Sequence, residues 1–242
     1  MDFACTPDQT HIRQTARDLL TAASAVPRVA EPHRSPTGYD IELWRTMDEL
    51  AVAAGADPVE FRLRHLDDPR AHAVITAVAA MAANVPLAAD GALRGRGLAF
   101  SRYKNRGTYA AVIVEVELDT EIRVRRAWAA VDAGTVISRS GLLNQIEGGI
   151  IQAASWSLHE AIRTDGAQVV TRDWESYRTL RFPDAPELEV QLIDHPDLPP
   201  TGAGEAVAGP TSAAIANAVA NACGVRLRDL PMTRERFIAA VG

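Results

Sequence analysis

GRGLAFSRYKNRGTYAAVIVEVELD, residues 95–119, decides the fold. Ala110, Val112, Val114, Val116 and Leu118 alternate with other residues, and Glu115 and Glu117 fall on the opposite side. A period of two belongs to a strand, because successive side chains leave opposite faces of a pleated backbone. The stretch therefore reads as strand, turn, strand. Asp119-Thr120 makes the next turn, and Ile122 and Val124 then alternate with Arg123 and Arg125 into AWAAVDAG. Residues 97–133 predict an antiparallel hairpin or meander.

Upstream of this hairpin the chain is helical. Thr6 suits an N-cap, Pro7 the first helical position, and Gln9 completes a capping box for a helix within residues 1–26. Ile12, Ala16, Leu19 and Leu20 supply its apolar stripe. VPRVAEPHRSPTG, residues 26–38, is a Pro-rich linker. Further helices are expected over Ile41–Ala54, from Asp57-Pro58 through VEFRLRHL, and over Arg70–Ala83. Downstream, GLLNQIEGGIIQAASWSLHEAI (141–162) has a helical period, with Gly148 and Gly149 in its middle. Each glycine costs about 1 kcal/mol relative to Ala in a helix, so either close helix packing or close approach of a ligand accounts for the pair. Leu188, Val190 and Leu192 mark another strand, and residues 211–222 form an Ala-packed helix in which Asn217 needs a partner. The fold class is α+β, antiparallel strands with packed helices.

Composition narrows the function. The 242 residues are 47% hydrophobic and 23% charged, with a net charge of -6. That is the balance of a folded protein. There is no basic stripe to meet nucleic acid, and no apolar run near the ~20 residues of a membrane span. The chain opens without a basic stretch leading into an apolar core, so a cytoplasmic location is expected and a periplasmic one stays open. Cys5 and Cys223 are the only cysteines, too few for the four thiolates of an iron–sulfur cluster. The six histidines lack zinc-ligand spacing. No residue is expected to bind a metal directly.

PPTGAGEAVAGPTSAAIANAVANA, residues 199–222, holds one acidic residue, Glu205, in a run of Gly, Ala and Pro. Gly202-Ala203-Gly204 lets backbone approach a bulky group because no large side chain intervenes. Gly209-Pro210 predicts a helix start whose free N–H groups favour an anion. A partly desolvated carboxylate there is a candidate general base. A carboxylate that merely satisfies N–H groups near the helix accounts for Glu205 equally well.

Several segments, in order, resemble one family: RSP (34–36), MDELAVAAGADPVEFRLRHLDDPRA (47–71), GRGLAFSRYKNRGTYAAVIVEVEL (95–118), VDAG followed by NQIEGGIIQAASWSLHEA (131–161), DWESYRTLRF (173–182) and LPPTGAGEAVAGPTSAAIANAV (198–219). Together they resemble the C-terminal part of the molybdopterin-binding large subunit of the xanthine dehydrogenase/aldehyde oxidase family, nearest to isoquinoline 1-oxidoreductase and nicotinate hydroxylase. The resemblance implies hydroxylation of an N-heteroaromatic or aldehyde carbon with oxygen from water. It implies that Glu205 is the base and that Gln145 hydrogen-bonds the cofactor, since an amide both donates and accepts. Gly148, Gly149, Gly202, Ala203 and Gly204 would give the cofactor close approach. Arg34 aligns with an arginine near the cofactor, though a plain linker arginine remains the alternative.

The implied cofactor is molybdenum-molybdopterin, its cytosine dinucleotide form included, with no iron–sulfur cluster on this chain. The implied partners are an iron–sulfur small subunit, a chain carrying the upstream cofactor loops and a small-molecule substrate. The family's GGGFG and MGQG stretches are absent. The other expectation is therefore a non-catalytic remnant or interaction domain. MDFACTPDQTHIRQTARDLL resembles the opening helix of acyl-CoA dehydrogenases, an ordinary capped helix accounts for it as well, and the origin of 1–33 stays open. Residues 34–94 resemble the end of the first molybdenum-cofactor domain, and 95–242 the C-terminal one.

Overall fold

A computed structural model describes residues 41–88, 90–166 and 168–241. The helix expected within 1–26, the linker and Arg34 lie outside the described residues. The chain divides into two compact units between Asp67 and Asp68. Residues 69–83, part of the expected 34–94 segment, pack on the sheet of the second unit.

In the first unit, α1 (Ile41–Ala53) and α2 (Pro58–His65) pack around Leu50, Ala51 and Phe61. Asp57 caps α2 by accepting from Val59 N (2.8 Å) and Glu60 N (3.1 Å), with Pro58 in the first turn. This is how sequence stops one helix and starts the next: a short carboxylate serves two otherwise unpaired donors. Arg62 and Asp48 form a buried ion pair at 2.5 Å.

The second unit begins with α3 (Pro69–Ala83), capped by Asp68. Its sheet has the order β1 (Leu93–Arg102), β2 (Tyr109–Leu118), β3 (Ile122–Asp132) and β6 (Glu187–Ile193). Between β3 and β6 come α4 (Arg139–Leu158) and a small ribbon, β4 (Thr164–Asp165) with β5 (Gln168–Val169). After β6 come α5 (Ala208–Cys223) and α6 (Arg234–Val241). The expected meander is there: β1–β2 and β2–β3 are antiparallel. β6 departs from the antiparallel expectation and runs parallel to β3. Its alternation fixes the faces of a strand, not its direction.

The sheet is covered on both faces. Gly95 and Gly97 point to α5, where an added Cβ at Gly97 would stand 2.2 Å from Ala218 N and 2.3 Å from Ala214 O. Ala214, Ala218 and Ala222 recur every four residues, so one face of α5 is smooth and lies directly on the β1 backbone. The neighbouring residue Arg96 faces the other way and donates to Ala82 O of α3 (2.8 Å) and to Glu115 Oε2 (2.6 and 2.9 Å). Glu115, read from the sequence as a residue of the opposite face, is accordingly buried and paired. Asn217 finds its partners: it donates to Leu98 O (3.0 Å) and accepts from Arg226 (2.6 Å).

Candidate active site

β1 and β3 run in one direction and β6 is parallel to β3, so the C-terminal ends of all three strands lie at one edge of the sheet. Arg102, Tyr109, Asp132 and Ile193 close the ladder there. Three connections leave that edge, residues 103–108, 133–138 and 194–207. They bring distant segments together.

Asp132 is the anchor, with no exposed side-chain surface. Arg70 grips it with two bonds of 2.6 and 2.7 Å, Gly134 N donates to it (2.9 Å), and His195 Nε2 lies 3.2 Å away. Burial pushes the Asp132 carboxyl up. The Arg70 bonds, the Gly134 N–H and the charges of Arg70 and His195 more than offset this and hold it below the usual carboxylate range. Tyr109 donates to Asp68 (2.7 Å), and burial together with that bond pushes its phenol up to about 12. Arg70 and Arg102 stack over the Tyr109 ring at 4.5 and 4.9 Å.

From this anchor the 194–207 connection is laid down bond by bond. Gly134 takes φ +74, and a Cβ there would meet Pro199 O at 2.2 Å, so this position needs glycine for both conformation and space. Thr135 N donates to Leu198 O (3.1 Å) and Thr201 N to Ala133 O (2.8 Å). On the other side Thr108 Oγ1 donates to Gly202 O (2.9 Å) and meets Thr201 Oγ1 at 2.7 Å. Thus GAGE is held between the ends of β1–β2 and β3.

Glu205 lies exposed in the turn just before α5, and its carbonyl accepts from Ala208 N (3.2 Å). The helix starts at Ala208, so Pro210 is its third residue rather than its first. The Tyr103 hydroxyl donates to Glu205 Oε2. Gln145, on the second turn of α4, is exposed, and its Oε1 lies 3.7 Å from where a Cβ on Gly204 would stand. Gln145 and the GAGE turn are therefore neighbours.

The two glycines of α4 separate. At Gly149 a Cβ would come 2.8 Å from Val207 Cγ2, so packing against the residue before α5 also favours glycine there. At Gly148 and at Gly202 nothing lies within 4 Å of an added Cβ. Ala203 is buried and offers backbone only. Thr211 Oγ1, in the first turns of α5, is buried with no protein partner among the described residues. Tyr103, Asp132, Arg70 and His195 were not singled out by sequence. The YKN turn reads there only as a hairpin connection, and the acid in VDAG as part of a strand.

The molybdopterin cofactor-binding domain family matches residues 42–186. A nicotinate dehydrogenase subunit of Pseudomonas putida is 38% identical over 97% of this chain and 21% of its own length. The beta subunit of isoquinoline 1-oxidoreductase from Brevundimonas diminuta is 35% identical over 77% of this chain and 24% of its own. Among solved structures, quinoline 2-oxidoreductase from Pseudomonas putida 86 matches with a TM-score of 0.50 and 30% identity, over 55% of this chain and 18% of that one. The aldehyde oxidoreductase of Desulfovibrio desulfuricans also gives 0.50, at 25% identity over 55% of this chain and 15% of that one. The chain belongs to the molybdopterin-binding xanthine dehydrogenase family. It spans about a fifth of the length of the curated relatives it matches.

The residues present fit such a cofactor. An exposed amide and open glycine backbone at 148 and 202 suit a polar group that carries its metal on its own sulfur atoms. Among the described residues no three His, Cys, Asp or Glu side chains are grouped to hold a metal ion, and no helix is long and apolar enough to cross a membrane.

Proposed function

We propose that this chain is the C-terminal cofactor-binding part of a molybdenum hydroxylase large subunit. The substrate is an N-heteroaromatic or an aldehyde, oxidised at carbon with oxygen from water. The observation that carries this reading is the meeting of Gln145 with the GAGE turn, at an open place bordered by glycine backbone. The names of the relatives support the substrate class: nicotinate, isoquinoline and quinoline are N-heteroaromatics, and other relatives are named aldehyde oxidoreductases.

Glu205 is the general base. Tyr103 occupies its Oε2, which leaves Oε1 to accept the proton. Gln145 holds the cofactor through its amide, and the backbone of Gly148, Gly202, Ala203 and Gly204 lies against it. When bound, the molybdenum cofactor, in its plain or cytosine dinucleotide form, supplies the two-electron oxidation of the substrate carbon. An iron–sulfur subunit takes the electrons, and a separate segment supplies the remaining cofactor loops and excludes water.

Glu205→Gln in the assembled enzyme is the test. Loss of a positioned base lowers kcat by about 10² or more, with molybdenum content unchanged. Undiminished turnover would remove Glu205 from the chemistry. A second reading, an interaction domain without cofactor, is favoured by one observation: Glu205 and Gln145 are both exposed in this chain, and a site open to water is a poor place for such chemistry.

A further inference from the structure

We propose that Tyr103 is the positioning residue of Glu205: its phenol fixes one carboxylate oxygen so that the other faces the proton it must accept. The proposal rests on the base role given above. Tyr103 starts the short turn Tyr103–Asn105, in which Lys104 and Asn105 have φ +50 and +57. Tight hairpin connections use that region, Asn enters it more readily than Lys, and here backbone bonds hold both in it. The enforcing bonds are Tyr103 N to Thr108 O and Gly107 N to Tyr103 O, both 2.8 Å.

The two connections do not need the phenol to stay together. Thr108 joins them through Thr201 and Gly202, and Ser101 Oγ donates to Ala206 O (3.3 Å). The Tyr103 hydroxyl reaches past these bonds to the carboxylate itself. An exposed glutamate samples several rotamers, and a base must meet its proton in one geometry. A donor on a stiff aromatic stem selects that geometry. Lys104 Nζ lies 5.2 Å from the centroid of the Tyr103 ring, and a positive charge on the ring makes its O–H a stronger donor.

The test has two arms, each with Tyr103→Phe, which keeps the ring and removes only the oxygen. In the full chain, amide exchange is followed at Ala206 and Ala208, which donate to Ala203 O (3.4 Å) and Glu205 O (3.2 Å). Tyr103→Phe speeds exchange there about tenfold, the low end for a lost hydrogen bond to a charged group. Adding Glu205→Gln changes it little further, because the two changes break one bond. Thr108→Val, which loosens the connections generally, adds to Glu205→Gln. Unchanged exchange in Tyr103→Phe, or full additivity with Glu205→Gln, overturns the proposal. In the assembled hydroxylase, Tyr103→Phe lowers kcat about tenfold and leaves KM within twofold, by the same conversion; wild-type kcat overturns it. If Glu205→Gln leaves turnover intact the base role fails, and the exchange arm still decides whether Tyr103 holds Glu205.

Discussion

Asp132 shows what one residue does for the site. Its carboxylate is fully buried yet joined to Arg70, Gly134 N and His195. Removing one partner of a buried ion pair strands the other, so Asp132→Asn should cost about 3–5 kcal/mol, measured by urea unfolding. The pH dependence has a definite sign. Because folding lowers the Asp132 pKa, its contribution is complete above the ordinary carboxylate range and fades as pH falls below that range toward the folded value. The stability gap between wild type and Asp132→Asn should therefore shrink as pH falls below the ordinary carboxylate range. A gap that widens in acid would contradict this account of Asp132.

At the scale of elements, three glycines make contrasting predictions. Gly97→Ala drives a methyl into the backbone of α5 and should cost about 3 kcal/mol or more, as overpacking does when neither side can move. Gly148→Ala meets nothing and lies in a helix interior, so it should raise stability by up to about 1 kcal/mol. It should also weaken cofactor retention if the open backbone is where the cofactor lies. Gly149→Ala presses on the tip of Val207 and falls between the two. Urea unfolding of the three variants checks the order.

These elements also show what could be read from the sequence. The helix start at Asp57-Pro58, the alternation over 109–118 and the Ala-rich run of α5 are local signals, and the structure follows them. α4, however, starts at Arg139 under the Ser138 cap and ends at Leu158, so Ile162 of the expected helix lies beyond it. Strand direction and the covering of a second sheet face are decided by segments far away. That is why the parallel pairing of β6 and the burial of Glu115 were not legible. Of the site, Glu205 stood out by its glycine-rich surroundings, and Gln145 only through the family resemblance. Tyr103 lies 102 residues before Glu205, and nothing in a turn sequence announces such a meeting.

At the scale of the whole molecule, the second unit exposes large apolar side chains between α4 and β6. Trp174 is 83% and Phe182 95% exposed, with Ile162, Val169 and Val170 also open. Large apolar side chains this exposed invite association. Expressed alone, the chain should self-associate in light scattering, and Trp174→Ser with Phe182→Ser should reduce that without lowering stability by more than about 0.5 kcal/mol, as is usual for surface substitutions. The same exposure agrees with a chain that matches only about a fifth of its relatives' length. The most direct test of the central claim is metal analysis by mass spectrometry. The chain would be purified from a molybdenum-replete host, alone and together with the products of its neighbouring genes. Near-stoichiometric molybdenum in the co-purified preparation is the predicted result. Its absence from both preparations, under conditions that load a full-length relative, would contradict the claim that Gln145 and the GAGE turn hold a working cofactor.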